Sequence, residues 1–372
     1  MAPLARFTLG SLWSWRPLMA AFEIRRCFRS RAALDALTMA IKEEAPNLIL
    51  YNYPSFSGAF AALFAHLYHS RMGLPYLILP YSQVEPFRIE DFNMKGVTTC
   101  YLLDFVGPKG FAVKLSQVSH GVVIFDHHKS AKALLSPVED CPENLSVHYD
   151  ITKSSSLLAY DYFSELLNQN QLCNDQNGKL SLVISDDVWQ LKMLLKYIED
   201  ADLQQWELSE SNAFKIGLSS MRSKLNCITN PYIFDQLLEM SHTEFIAKGR
   251  SYIEHRQDAA NKLLDGAFKI RLGKGFYGEC LGIRADGNSH LCNEIGNQLS
   301  EKSSAAGLSG CNNVCRPIGA VVYMQRGNLK MSLRSMDSAT DTSEISKAYG
   351  GGGHPKSSSF IIRMDEYNKW IL

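Results

Sequence analysis

Residues 121–130, GVVIFDHHKS, constrain the fold more than any other stretch of the chain. Val122, Val123, Ile124 and Phe125 are apolar in succession and three of them are β-branched, which is the make-up of a strand buried on both faces. The strand runs directly into Asp126, His127 and His128. A carboxylate and two imidazoles make a poor core and a good cation site, because carboxylate oxygen and neutral imidazole nitrogen suit a divalent ion. A polar turn closing the strand is the competing reading. Residue chemistry alone leaves both open.

The sequence before this stretch alternates in the same style. Ala33–Lys42 favours helix, Asn47–Tyr51 a short strand, and Gly58–His69 a helix so apolar all round that it should be buried. Tyr76–Tyr81 and Thr99–Leu103 add two strands. Strand, helix, strand in repetition predicts an α/β fold, a Rossmann-like open parallel sheet with helices on both faces. Ligands of such sheets gather outside the carboxyl ends of the strands, where Asn52, Ser82, Asp104 and Asp126 stand. Asp104 is therefore either a second metal ligand or a helix cap. In Asp187–Trp206, Val188, Leu191, Leu195 and Ile198 form one helical stripe whose continuation is Asp202. A carboxylate on a buried stripe calls for a partner or a cation. The stripe leaves Glu199 and Asp200 to solvent, and the alternative is a helix that ends near Asp200 with Asp202 in a turn.

Composition sets the limits. At 372 residues the chain accommodates two domains, and a formal net charge of zero excludes a global polyanion-binding field, so any basic groove is local. No apolar run approaches the roughly 18 residues of a membrane span. Nine scattered cysteines suit a reducing compartment; Cys311 and Cys315 are the only close pair, with no second pair to complete a zinc site. Residues 1–31 carry Arg6, Arg16, Arg25, Arg26, Arg29 and Arg31 against the single acid Glu23. That is the composition of an organellar leader, mitochondrial ahead of plastid, or of a basic extension on a cytoplasmic protein. Lys153–Ser156 reads as the capped start of a helix through Leu167, or as a phosphate loop.

The second half changes character. Residues 208–241 carry no motif and read as a helical connector, and a domain over 242–372 follows the first over 32–207. It opens with a polar helix, His242–Phe268, and continues with strands at Lys269–Leu272 and Glu279–Ile283 and a helix through Leu291, Ile295 and Leu299. Ile318–Met324 and Asn328–Leu333 form a hairpin about Arg326-Gly327 that ends at Arg334. A short helix, Glu344–Tyr349, with Asp341 in a capping-box position, leads into Gly350, Gly351, Gly352, Gly353 and His354, and then a strand, Ser357–Ile362. Such a glycine run lets backbone N–H groups approach an anion as a nest; His354 adds a donor and Arg334 a forked guanidinium.

Asp-His-His in a Rossmann-like domain, followed by Gly-Gly-Gly-His in a smaller α+β domain, resembles the DHH/DHHA1 phosphoesterases, over about Ala32 to Phe360. The resemblance implies a cleft between the two domains and a metal-hydroxide attack on a phosphodiester of short single-stranded RNA, DNA or a nucleotide, with Mn2+ or Mg2+ as cofactor. It implies Asp104, Asp126, His127 and Asp202 (or Asp200) as metal ligands, Asp126, His127 and His128 as the catalytic motif, and Arg334, Gly351, Gly352, Gly353 and His354 as substrate-binding residues. One departure stands out: the first metal motif of that family is replaced by Asn52-Tyr53-Pro54-Ser55-Phe56-Ser57-Gly58-Ala59, with no carboxylate. Two dications about 3.5–4 Å apart need several anionic ligands, so the expectation is one ion rather than two. A relative that binds nucleic acid or nucleotides without turnover is the alternative.

Overall fold

The computed structural model describes residues 31–42, 47–84, 86–92, 99–135, 142–172, 181–183, 188–307 and 315–371. The basic leader, apart from Arg31, and Cys311 lie outside the described residues. In chain order the elements are α1 (Arg31–Lys42), β1 (Asn47–Asn52), α2 (Phe56–Met72), β2 (Tyr76–Tyr81), β3 (Thr99–Leu103), α3 (Phe111–Ser116), β4 (Gly121–Asp126), α4 (Lys129–Leu135), β5 (Leu145–Tyr149), α5 (Ser155–Leu172) and α6 (Val188–Leu203). They continue with α7 (Ser211–Ser219), α8 (Ile233–Leu238), α9 (His242–Leu264), β6 (Phe268–Arg271), β7 (Glu279–Arg284), α10 (Cys292–Gly307), β8 (Cys315–Gln325), β9 (Asn328–Arg334), α11 (Thr342–Ala348), β10 (Gly352–His354), β11 (Ser357–Ile362) and α12 (Met364–Tyr367). Among the described residues no helix is long and apolar enough to cross a membrane.

The chain divides into two compact units, residues 1–207 with 221–241, and residues 208–220 with 242–372. The helical connector expected over residues 208–241 is divided between the two units. Its first part joins the second unit because α7 and α9 touch through glycines: a Cβ on Gly217 would lie 2.0 Å from the Phe245 carbonyl oxygen. Its second part is held to the first unit by Tyr51, whose hydroxyl donates to the Leu225 carbonyl at 2.6 Å and accepts from the Cys227 amide at 3.0 Å.

The first unit is the expected α/β layer structure. Its sheet runs β2-β1-β3-β4-β5 with every pair parallel. Strands β1, β3 and β4 are buried along most of their length, and α2 is buried along nearly all of it, which accounts for the lack of a polar face in its sequence. The edge strand β5 was not legible in the sequence, since its LSVHY residues are half-buried to exposed without clean alternation. In this order strands are added on opposite sides of β1, so the strand order switches between β1 and β3, the place at which ligands of such sheets gather.

The second unit is built on a sheet of order β10-β11-β9-β8-β7-β6, antiparallel except for β7 with β8. The hairpin turns at Arg326 and Gly327, both at positive φ, as a two-residue connection between right-twisted strands requires. One face of the sheet packs Ala320, Val322, Met331, Leu333 and Phe360 into a core with Ile345 of α11 and Trp370. On the other face Val321 and Tyr323 pack with Ile295 and Leu299 of α10 and with Ala260 and Leu264 of α9.

Candidate metal centre

Strand register brings the site together. Tyr51 of β1 pairs with Leu103 of β3, and Leu103 with Phe125 of β4, so Asn52, Asp104 and Asp126 end three adjacent strands at one edge of the sheet. Asp104 takes a left-handed conformation (φ 70°), one that a short polar side chain tolerates, while its amide donates to the Phe125 carbonyl at 2.8 Å. The carboxylate it presents is buried, with 1% of its side chain exposed.

Asp104, Asp126, His127 and His128 each offer a ligand atom, and these atoms lie within 4.8 Å of one another. Nδ1 of His127 is 3.4 Å from Asp104 Oδ1, and Nδ1 of His128 is 3.9 Å from that same oxygen. Asp126 Oδ1 accepts from the His128 amide at 2.9 Å and lies 2.7 Å from the His128 Nδ1. The two imidazoles stack, their centroids 4.2 Å apart. Asp202, half-buried in the last turn of α6, places Oδ2 3.4 Å from the other nitrogen of His127, Nε2.

The helix α6 therefore continues past Asp200, and Asp202 lies beside His127 without being one of the four side chains whose ligand atoms gather. Glu199 and Asp200, expected in solvent, are not there. Asp200 is buried with Oδ1 accepting from the Glu207 amide at 2.8 Å, and it supplies no atom to the cluster; Glu199 is half-buried and accepts from the Ser154 amide at 3.0 Å. Both carboxylates serve backbone N–H groups that would otherwise lack partners, a role invisible to a helical-stripe count.

Two serines complete the surroundings. Ser55 caps α2, accepting from the Gly58 amide at 3.2 Å, and donates to Asp104 Oδ2 at 2.5 Å; Asn52 donates to that same oxygen at 3.1 Å. Ser155, at the start of α5, sets its hydroxyl 2.8 Å from His127 Nδ1, with its amide 3.3 Å away. Lys153–Ser156 is thus the capped helix start, and it also orients a site imidazole.

The electrostatics follow from burial and neighbours. Burial first, and the charge of Asp202 second, push Asp104 up to about 6. Desolvation lowers His127. The hydrogen bond to Asp126 raises His128 to about 9. The donor set suits a divalent cation: one oxygen of Asp104 is occupied by two neutral donors, while the other, Oδ1, is buried, accepts no hydrogen bond and faces two imidazoles.

In the second unit a cavity of about 270 Å³ lies over the sheet face that α10 leaves bare, with Lys330, Ser332 and Arg334 of β9, Ser357 and Ser359 of β11, and Gly352 and Gly353 of β10 among its lining. The expected open nest is absent. Gly350 and Gly351 spend their N–H groups on the Lys347 and Ser346 carbonyls at the end of α11, and Gly352 to His354 pair as a strand with Ser357 to Ser359. Close approach of backbone explains the composition: a Cβ on Gly351 would meet the Ser359 carbonyl oxygen at 2.2 Å. Gly351 and His354 are exposed and do not line the cavity. Asp341 caps α11 by accepting from the Ser343 amide at 2.7 Å.

No family model matches the chain, and no curated protein matches it. Among solved structures it is similar to the pGpG-specific phosphodiesterase PggH from Vibrio cholerae (11% identity, 87% of this chain and 95% of that one, TM-score 0.39). It is also similar to RecJ in complex with Mn2+ from Thermus thermophilus (13% identity, 91% of this chain and 53% of that one, TM-score 0.32) and to CDC45 from Entamoeba histolytica (10% identity, 91% and 97%, TM-score 0.35).

Proposed function

We propose that the protein is a metal-dependent phosphoesterase acting on a phosphodiester of short single-stranded nucleic acid or a nucleotide, with one Mn2+ or Mg2+ ion held by Asp104, Asp126 and His127. The observation that carries this reading is Asp104 Oδ1, a buried carboxylate oxygen that accepts no hydrogen bond among the described residues and sits in a cluster of four ligand-type side chains. A divalent cation bound there would supply a Lewis acid for a phosphoryl oxygen. Ser155 sets its hydroxyl against Nδ1 of His127 and so leaves Nε2, with Asp202 Oδ2 3.4 Å away, as the nitrogen that would face the ion. His128, the most exposed of the four at 42%, is available to donate a hydrogen bond to the phosphate. The substrate class follows from the resemblance of the two motifs and from the cationic cavity of the second unit.

A second reading, binding without turnover, is favoured by the neutral first motif. Asn52 and Ser55 donate to Asp104 Oδ2, so they add no negative charge and occupy one of its oxygens. One experiment separates the two. The full chain is incubated with Mn2+ and end-labelled short oligonucleotides, alongside His127→Ala. Cleavage by the native protein that disappears in the variant supports the hydrolase; tight binding with no product, the same in both, supports the binder.

A further inference from the structure

The cavity of the second unit carries more positive charge than one phosphate needs. Arg334 is half-buried, and among the described residues its polar contacts are neutral: Nε donates to Asn293 Oδ1 at 2.9 Å and Nη1 to the Leu333 carbonyl at 2.8 Å. Burial pulls its pKa down, as for any cation short of a counter-charge. Lys330 stands four residues back along the same strand and on the same face of the sheet, roughly 13 Å away at ~3.3 Å per residue. Neither cation forms an ion pair among the described residues, and no Asp or Glu lines the cavity. Between and beside them run Ser332, Ser357 and Ser359, and past Lys330 the side chain of Ile361 is 60% exposed in register with it.

Two cations at opposite ends of a serine-lined strip do not match a single tetrahedral anion, which either alone would satisfy. They match a flexible chain with an anionic group at each end of the strip. We infer that Lys330 forms a second phosphate subsite, so that the cavity takes an oligonucleotide long enough to set one phosphate at Arg334 and another, further along the chain than the neighbouring one, at Lys330, in preference to a mononucleotide. The inference rests on the proposed nucleic-acid reading and makes it specific: the protein selects its substrate by length. Ile361 gives the strip an apolar end suited to the face of a base without selecting its identity.

The test uses the full chain in EDTA, so that binding is measured without cleavage, with thymidine 5′-monophosphate and 5′-phosphorylated trithymidylate as probes over a range of salt. The native protein should bind the trinucleotide at least about tenfold more tightly. Lys330→Gln, which keeps a hydrogen-bond donor and loses the charge, should remove that advantage, lower the salt dependence of trinucleotide binding by about 0.7 in log–log slope, and leave mononucleotide binding unchanged. Arg334→Gln should weaken both probes. An equal loss for both probes in Lys330→Gln, or no loss in either, overturns the second subsite while leaving the nucleic-acid reading standing. Absence of binding to either probe by the native protein overturns that reading and this inference with it.

Discussion

The two units concentrate charge of opposite sign by different means. In the first, Asp104 and Asp126 form ion pairs only with imidazoles among the described residues, and their positions are dictated by the ladder of three parallel strands. In the second, Arg334 and Lys330 face a cavity without a carboxylate, carried as alternate side chains on one face of an antiparallel sheet. Excess negative charge at buried strand ends calls for a cation, and excess positive charge on an open sheet face calls for an anionic chain. The contrast teaches that a fixed backbone edge suits a point ligand whose distances must be set closely, whereas a sheet face suits an extended one.

The sharpest way to break the contrast is to remove the carboxylate on which the first site turns. Asp104→Asn keeps the shape and the hydrogen bonds around Oδ2 but loses the anion, so Mn2+ affinity measured by calorimetry should fall by more than about 100-fold, beyond the range typical of residues that only support a ligand. Oligonucleotide binding in EDTA, if it belongs to the second unit, should be unchanged. Retention of Mn2+ affinity in Asp104→Asn would mean that the cluster is not where the ion binds.

Acid should also distinguish the units. His69 in α2 is fully buried among Tyr68, Tyr76, Tyr101 and Phe163, with Nδ1 donating to the Ala65 carbonyl at 2.7 Å and Nε2 buried without a partner. Burial lowers its pKa from 6.5 to about 4. A folded-state value below the unfolded one means that the unfolded chain binds the proton more readily. Stability is then intact above about pH 6.5 and lost as pH falls towards 4, by up to about 3 kcal/mol. His69→Leu should make that slope shallower, leaving the share of the other buried imidazoles such as His127, and hydrogen exchange at pH 7 and pH 5 should show α2 amides losing protection while those of β8 do not.

A third measurement bears on the glycine run. If Gly351 is there for packing rather than as part of an anion nest, Gly351→Ala should cost about 2 kcal/mol of folding stability through overpacking against Ser359 and Phe360. Mn2+ affinity should not move. A stable variant that has lost phosphate binding would instead restore the nest.

The buried strands, the buried helix α2 and the Asp-His-His stretch could be read from the sequence because each depends on neighbours in the chain: an apolar run, a missing polar face, a charge cluster at a strand end. The edge strand β5 could not, since its half-exposed residues lack alternation. Asp202 was reached by extending a helical stripe, and the same stripe misjudged Asp200, whose burial is set by the turn that follows the helix. The glycine run suggested backbone open to an anion; in the fold the amides of Gly350 and Gly351 cap a helix and Gly352 to His354 pair as a strand, while Gly352 and Gly353 still line the cavity, and neither the cap nor the pairing can be read from four glycines in a row.

Ser155 shows where sequence reading stops. It lies 28 residues from His127, and nothing local distinguishes it from the serines on either side, all of them buried. In the folded unit its hydroxyl lies 2.8 Å from His127 Nδ1, which turns Nε2 towards Asp202, 3.4 Å away. Deleting the hydroxyl leaves the Ser155 amide 3.3 Å from Nδ1 and the cap at Ser154 in place, so α5 should start as before. Ser155→Ala should therefore lower Mn2+ affinity by about tenfold, the lower end expected of a group that only orients a ligand, with little change in thermal stability. Ser155→Thr, which keeps a hydroxyl at that position, should recover most of the loss. An Ala variant with native affinity, or a Thr variant no better than Ala, would show that the serine merely packs there and that the strand ends set the imidazole without help.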